Sequence, residues 1–247
     1  MPPPSVPPLD CLAVGAHPDD AELFAGGTLA RMTRLGRRVA VLDLTRGECA
    51  SRGAPDRRAE QAREATDILG LAVRETLDLG DTRLDAADPD ARRAVVEALR
   101  RLRPRLILTH AAPARHPDHR AAHALIRDAA FFAHVAGFDA SGEPWNIEAL
   151  AFFPGHTWRA EPRADWVVDV AATAETKRAA LAAYDTQFLA EPTPDDPHPT
   201  HIASRAFWDY LDARDRVWGH RIGVERGEPF LLDRPPHAAH PLVRLTQ

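Results

Sequence analysis

The sequence has few cysteines and no long apolar run, and each shortage argues against a class of protein. Of its 247 residues only Cys11 and Cys49 are cysteines, too few for a disulfide framework, so we expect a reducing, cytoplasmic location. The proline-rich residues 1–9 lack the basic and apolar stretches of a secretory signal. No segment approaches the ~18 consecutive apolar residues of a membrane span.

Positive charge and nucleotide-binding glycine patterns are also lacking. The formal net charge of -5 argues against binding nucleic acid by phosphate neutralisation. There is no G-x-G-x-x-G or Walker motif, and the double glycine Gly26-Gly27 follows Asp19 and Asp20, which would repel a phosphate. We therefore expect neither a nucleic-acid partner, nor a membrane partner, nor a nucleotide-dependent dehydrogenase.

The periodicity predicts an α/β fold, because short apolar runs alternate with segments of helical spacing. Predicted strands cover residues 12–16, 39–44, 73–77, 105–108, 150–153 and 166–170, and predicted helices cover residues 22–35, 57–69, 91–102, 119–132, 175–184 and 204–217. This order predicts a Rossmann-like three-layer α/β/α sandwich with a mostly parallel sheet in a single domain. We expect that domain to span residues 11–235, between an irregular N-terminus at residues 1–10 and an irregular tail at residues 236–247.

Two polar clusters follow apolar runs in this pattern. Residues 17–20 read His-Pro-Asp-Asp, and residues 116–119 read His-Pro-Asp-His. Either cluster alone would equally fit a capped helix start. Because the carboxyl ends of parallel strands meet at one edge of a sheet, however, we expect the two clusters to converge. Two imidazoles and a carboxylate form an open metal site, and a spare carboxylate can take a proton from water, so the sequence predicts metal-assisted hydrolysis.

The residue types in these clusters suggest individual roles. His17 and His119 are candidate metal ligands, joined by one aspartate of the Asp19-Asp20 pair, while the other serves as the general base. His116 is a candidate for stabilising, as a protonated imidazole, the oxyanion that forms when an amide is hydrolysed. Asp118 is expected to hydrogen-bond to His116 and to favour its charged form.

Residues 15–22, 26–30 and 115–119 resemble the LmbE-like (PIG-L) family of zinc-dependent N-acetylglucosamine deacetylases. Residues 42–48, 183–188 and 219–225 resemble the branch that deacetylates N-acetylglucosaminyl malate in bacillithiol biosynthesis. The resemblance implies that the metal, Zn²⁺ with Fe²⁺ or another divalent ion as alternatives, is bound by His17, Asp20 and His119. It also implies that Asp19 is the general base, that His116 assists at the oxyanion, and that the protein forms a homo-oligomer.

Substrate contacts are less sharply indicated. A malate group carries two carboxylates, which guanidinium groups bind bidentately. The resemblance places Arg115 at the malate side and Arg58 at the sugar, although either is equally well explained as a surface arginine. Tyr184 is a third candidate, with packing as the alternative.

Other functions stay open at this point. The same residues fit an amidase for another amino-sugar conjugate, a non-haem iron oxygenase or a non-catalytic metal- or sugar-binding module. The remaining histidines are expected to be structural or solvated, apart from His156 and His220, which are undecided; the others are His110, His123, His134, His198, His201, His237 and His240.

Overall fold

The computed structural model describes residues 7–155, 163–188, 200–235 and 237–247; His156 and His198 lie outside them. The strands are β1 (Leu9–Gly15), β2 (Val39–Asp43), β3 (Val73–Thr76), β4 (Pro104–His110), β5 (Ala149–Phe153), β6 (Trp166–Asp169) and β7 (Gly227–Leu232). The helices are α1 (Asp20–Arg34), α2 (Pro55–Leu69), α3 (Pro89–Leu102), α4 (Pro117–Ala133), α5 (Ala174–Ala182), α6 (Arg205–Arg221) and α7 (Pro241–Leu245). The predicted single-domain α/β fold is confirmed.

The strands form one sheet in the order β3-β2-β1-β4-β5-β7-β6. The first five strands in this order are parallel, whereas β7 runs antiparallel to both β5 and β6. The chain builds outward from β1 in one direction and then restarts at β4 on its other side. This switch point opens a crevice beyond the carboxyl ends of β1 and β4, where ligands bind in sheets of this kind.

Helices cover both faces of the sheet. The central strands are therefore buried on both sides, and their residues are apolar on both sides. In β1, Cys11 and Ala13 point into the core that contains Leu29 of α1 and Leu181 of α5. The alternate residues, Leu12 and Val14, point into the opposite core with side chains of α3 and α4. The sheet is therefore the middle layer of three.

Close packing explains the double glycine near the start of the chain. Gly26 and Gly27 lie inside α1, and a Cβ added to Gly27 would lie 2.8 Å from the Cβ of Val170. The Gly27 N–H donates to Glu228 Oε1 at 2.9 Å. Glu228 is fully buried and forms an ion pair with Lys177 at 2.7 Å, so this segment joins α1 to β7 and α5.

The structure differs from the prediction at both ends of the domain. Strand β1 begins at Leu9, inside the segment expected to be irregular. Helix α7 falls within the tail that was also expected to be irregular, and its Leu242 and Leu245 are buried in the core. Five residues are too few to show helical periodicity. None of the helices in the described ranges is long and apolar enough to cross a membrane.

Candidate active site

A cavity of about 270 Å³ lies at the switch point, beyond the carboxyl ends of β1 and β4. It brings together side chains that are about one hundred residues apart in the sequence. The predicted site residues that line it are His17, Asp19, Asp20, Arg58, Arg115, His116 and His119. Asp118 lies directly behind them and Tyr184 is not among the lining residues.

Three of these residues present a set of metal-ligating atoms. One atom each from His17, Asp20 and His119 lie within 4.8 Å of one another. His119 Nε2 is 3.2 Å from Asp20 Oδ1, and His17 Nδ1 is 3.4 Å from Asp20 Oδ2. Burial acts to raise the pKa of Asp20, but its interactions with the His119 and His110 rings hold it well below its usual value. A carboxylate that stays ionised among imidazoles fits a divalent cation.

Asp19 occupies a different environment from its neighbour Asp20. Its backbone has φ 119°, a left-handed conformation, immediately before α1 begins. Its Oδ2 accepts a hydrogen bond from Arg58 Nη2 at 2.8 Å, and Arg58 Nε donates to the Pro18 carbonyl. Burial raises the pKa of Asp19 to about 7, and the Arg58 charge opposes this rise. A base whose pKa lies near neutrality is well matched to proton transfer.

His116 caps the N-terminus of α4. Its Nδ1 accepts a hydrogen bond from the Asp118 backbone N–H at 3.2 Å. Burial and the charges of His17 and His119 lower the pKa of His116. Because Nδ1 accepts this hydrogen bond, the ring proton is placed on Nε2, which differs from the expected doubly protonated imidazole.

The Asp118 carboxylate does not hydrogen-bond to His116 as predicted, although its charge does act to raise the pKa of His116. Its Oδ2 lies 3.1 Å from His17 Nε2 and accepts a hydrogen bond from the Thr82 N–H at 2.7 Å. In the capping geometry, His116 Nδ1 accepts the backbone N–H of Asp118 instead. Asp118 supports a predicted metal ligand instead.

His110 was expected to be structural or solvated rather than a ligand, and the structure places its buried ring against two predicted ligands, His119 and Asp20. His110 is the last residue of β4, and its ring stacks on His119 with centroids 3.9 Å apart. Its Nε2 accepts a hydrogen bond from the Ala16 N–H and lies 3.3 Å from Asp20 Oδ2. Burial lowers the pKa of His110 to about 4, so the ring is neutral. Its position at a strand end beside the switch point was the signal that could have identified it.

Asp81 was also missed. It lies in the loop that follows β3, and its Oδ1 is 3.1 Å from His17 Nε2. Burial acts to raise the pKa of Asp81, but the hydrogen bond and charge of His17 lower it to about 2. Nothing in the local sequence marks this contact, which joins residues on two different strand ends.

The three predicted substrate-binding residues differ in position. Arg58 and Arg115 line the cavity, Arg58 buried against Asp19 and Arg115 exposed at the surface. Tyr184 is fully buried, and its hydroxyl donates to Glu22 Oε1 at 3.1 Å. We therefore correct the expectation for Tyr184: its hydroxyl serves a buried polar cluster rather than the cavity.

Comparison with known proteins identifies the family to which this chain belongs. The family described as "PIG-L: GlcNAc-PI de-N-acetylase" matches residues 12–130, the stretch that contains both clusters. The chain is 31% identical over 195 residues to a diacetylchitobiose deacetylase of Thermococcus kodakarensis, covering 72% of this chain and 69% of the relative. The chain belongs to the PIG-L family.

Two further comparisons extend the similarity of this PIG-L protein. A 1D-myo-inositol 2-acetamido-2-deoxy-alpha-D-glucopyranoside deacetylase of Rhodococcus jostii is 30% identical over 242 residues, covering 74% of this chain and 82% of the relative. The crystal structure of the conserved protein TT1542 from Thermus thermophilus superposes with a TM-score of 0.83 at 37% identity, covering 93% of this chain and 96% of that one.

Proposed function

We propose that this PIG-L protein is a metal-dependent deacetylase that removes the N-acetyl group from an N-acetylglucosamine conjugate. One observation carries the proposal: the atoms of His17, Asp20 and His119 that lie within 4.8 Å of one another share a cavity with the Asp19 carboxylate and His116. A metal-binding module would need the three ligands alone. Asp19 and His116 are the groups that hydrolysis needs in addition.

The residues present fit a divalent cation. Two imidazoles and one carboxylate leave coordination positions open, which is the pattern of catalytic zinc sites. When bound, the ion supplies Lewis-acid polarisation of the acetyl carbonyl and of water. We propose Zn²⁺, with Fe²⁺ or another divalent ion as the alternative, held by His17, Asp20 and His119.

Asp19 moves the proton in this proposal. Arg58 holds one oxygen of its carboxylate and so fixes its direction. Within the described part of the chain the other oxygen, Oδ1, accepts no hydrogen bond, which leaves it free to receive a proton from the attacking water. The same carboxyl group then delivers that proton to the amine as the C–N bond breaks.

His116 stabilises the charge that develops on the carbonyl oxygen. With Nδ1 accepting the Asp118 N–H, Nε2–H is the donor available to the cavity. A neutral donor held by a helix N-terminus costs no reorganisation during the reaction, which is the requirement for stabilising an oxyanion.

For the conjugate, we propose N-acetyl-alpha-D-glucosaminyl L-malate. The relatives named above are deacetylases of diacetylchitobiose and of an inositol conjugate, so both act on amides of amino sugars. The exposed guanidinium of Arg115 at the cavity supports an acidic group beyond the sugar. The homo-oligomeric assembly and the cytoplasmic location stay predictions.

Acetate release tests the proposal. Purified protein reconstituted with Zn²⁺ would be assayed with the malate conjugate, the inositol conjugate, diacetylchitobiose and free N-acetylglucosamine. We expect the malate conjugate to have the highest kcat/KM and Arg115→Ala to lower that preference. Equal values on all four would refute the malate assignment, and no acetate from any of them would refute the deacetylase.

A further inference from the structure

Among the described residues that line the cavity, Asp81 is the one carboxylate that neither sequence cluster supplies. It is 5% exposed, and its Oδ1 lies 3.1 Å from His17 Nε2, the same nitrogen that Asp118 Oδ2 approaches at 3.1 Å. A carboxylate from the loop after β3 and another from the first turn of α4 therefore converge on one ring nitrogen. The other ring nitrogen, Nδ1, faces Asp20.

The loop that carries Asp81 is fixed by hydrogen bonds of its own. The second oxygen of Asp81 accepts the Cys49 N–H at 2.8 Å, and the Asp81 N–H donates to Glu48 Oε1 at 2.7 Å. The next residue, Thr82, has φ 64°, an unfavourable conformation for a β-branched residue, and donates its N–H to Asp118. Such strain persists where surrounding contacts determine the backbone. Asp81 and Asp118 are thus held as a pair.

The effect of this pair of carboxylates on His17 depends on how many protons the imidazole ring carries. A histidine that gives one nitrogen to a metal ion keeps a single proton, on the other nitrogen. Both carboxylates lie on the Nε2 side, where each can accept an N–H, and a lone pair placed there would face two negative groups. The proton is therefore stabilised on Nε2, and Nδ1 is left as the ligand atom facing Asp20.

We propose that Asp81 is a positioning residue, which together with Asp118 fixes His17 in the Nε2–H tautomer and thereby prepares Nδ1 for the metal ion. This inference rests on the proposed metal-dependent function, but its test does not require turnover. Asp81 acts through His17 and makes no contact with the substrate in this assignment.

The test compares Asp81→Asn with wild type and with Asp78→Asn. Asp78 lies in the same loop, is 68% exposed at its side chain and only approaches Arg46 at 3.9 Å, so it is a matched control. Competition calorimetry with Zn²⁺ alone would give the metal dissociation constant. We expect Asp81→Asn to weaken binding ~10–100-fold, the usual effect of removing a partner of a ligand histidine, and Asp78→Asn to leave it unchanged.

Long-range ¹H–¹⁵N NMR of the zinc-loaded wild type provides the readout that a merely structural role would not move. We expect the His17 ring proton on Nε2, and faster exchange of that proton in Asp81→Asn. A proton on Nδ1 in the wild type would overturn the proposal even if the variant fails to fold.

Kinetics at saturating Zn²⁺ separates positioning from substrate contact. Positioning predicts that Asp81→Asn lowers kcat with little change in KM. A raised KM with unaltered metal affinity would make Asp81 a substrate contact instead and refute the proposal. If the wild type shows the expected tautomer and metal affinities but releases no acetate, the proposed function fails while the inference about Asp81 holds.

Discussion

Asp19 and Asp20 are adjacent in the chain and have the same side chain, yet the fold gives them opposite acid–base properties. Asp20 is surrounded by imidazoles, which keep it ionised, whereas burial raises the pKa of Asp19 toward neutrality. The left-handed backbone at Asp19 separates the two carboxylates at the start of α1. One can therefore hold an ion while the other exchanges a proton.

This division predicts the effect of Asp19→Asn. The amide keeps the size of the side chain but cannot accept a proton, so we expect kcat to fall ~10²–10⁴-fold. Metal content should be unchanged, because Asp19 is outside the set of ligand atoms. The measurements are acetate release and metal analysis, with Asp56→Asn, an exposed aspartate of α2, as the control. Retention of more than about a tenth of the wild-type rate would contradict a role as base.

His116 caps helix α4, and the proposed function gives it a second, separable role as a hydrogen-bond donor. We expect His116→Ala to lower kcat ~10²–10³-fold by removing the oxyanion donor and to lower the free energy of unfolding by ~1 kcal/mol by removing the cap. His116→Asn should restore the stability, because asparagine caps helices, without restoring the rate. Full activity in His116→Asn would show that the imidazole is dispensable.

Helix α1 packs closely against Val170, the residue that follows β6. This close packing is possible because residue 27 is a glycine and has no side chain. At Gly27 an added Cβ would lie 2.8 Å from the Cβ of Val170, and the helix backbone also donates there to Glu228. The double glycine thus serves contact between elements.

Gly27→Ala should lower the free energy of unfolding by ~1–3 kcal/mol, the usual cost of overpacking a core. Gly137→Ala is the control, because nothing lies within 4 Å of the added Cβ. Denaturant unfolding of both variants provides the measurement. Equal stability of the two variants would show that α1 can move away from Val170 without cost.

Sequence periodicity was a good guide to elements in the first half of the chain. Strands β1 to β4 and the helices between them follow alternating apolar patterns long enough to recognise, and they differ from prediction mainly at their ends. Strand β7 was not predicted, because Gly227 and Pro229 interrupt its apolar pattern. Its place in the sheet comes from pairing with β5 and β6, which no local pattern encodes.

The candidate site could be predicted in part for the same physical reason. His17, Asp20 and His119 follow strands, and the carboxyl ends of parallel strands meet at one edge of a sheet. Their proximity could therefore be predicted. The contact of His17 with Asp81 depends on the course of a loop, and the burial of Tyr184 depends on packing against α1. Those contacts are set by the folded molecule.

At the scale of the whole molecule, the proposed metal site would couple ion binding to folding, because its ligands lie on two segments that only the sheet brings together. An ion that binds the folded chain alone should raise its stability by ~4 kcal/mol when present at ~1,000 times its dissociation constant. We expect a higher Tm with Zn²⁺ than after chelation, measured by calorimetry. The shift should vanish in His119→Ala and persist in His134→Ala, which changes an exposed histidine. An unchanged shift in His119→Ala would place the ion elsewhere.

Because the chain returns to the centre of the sheet only at β4, the predicted ligands are synthesised at different times. A growing polypeptide that has left the ribosome only as far as β3 contains His17 and Asp20 but not His119. It can offer an ion at most a loose pair of ligands until α4 has emerged and β4 has docked beside β1. In the proposed function, the metal ion can therefore bind only after about half of the protein has been made, and a translation product that ends before α4 would lack the third ligand.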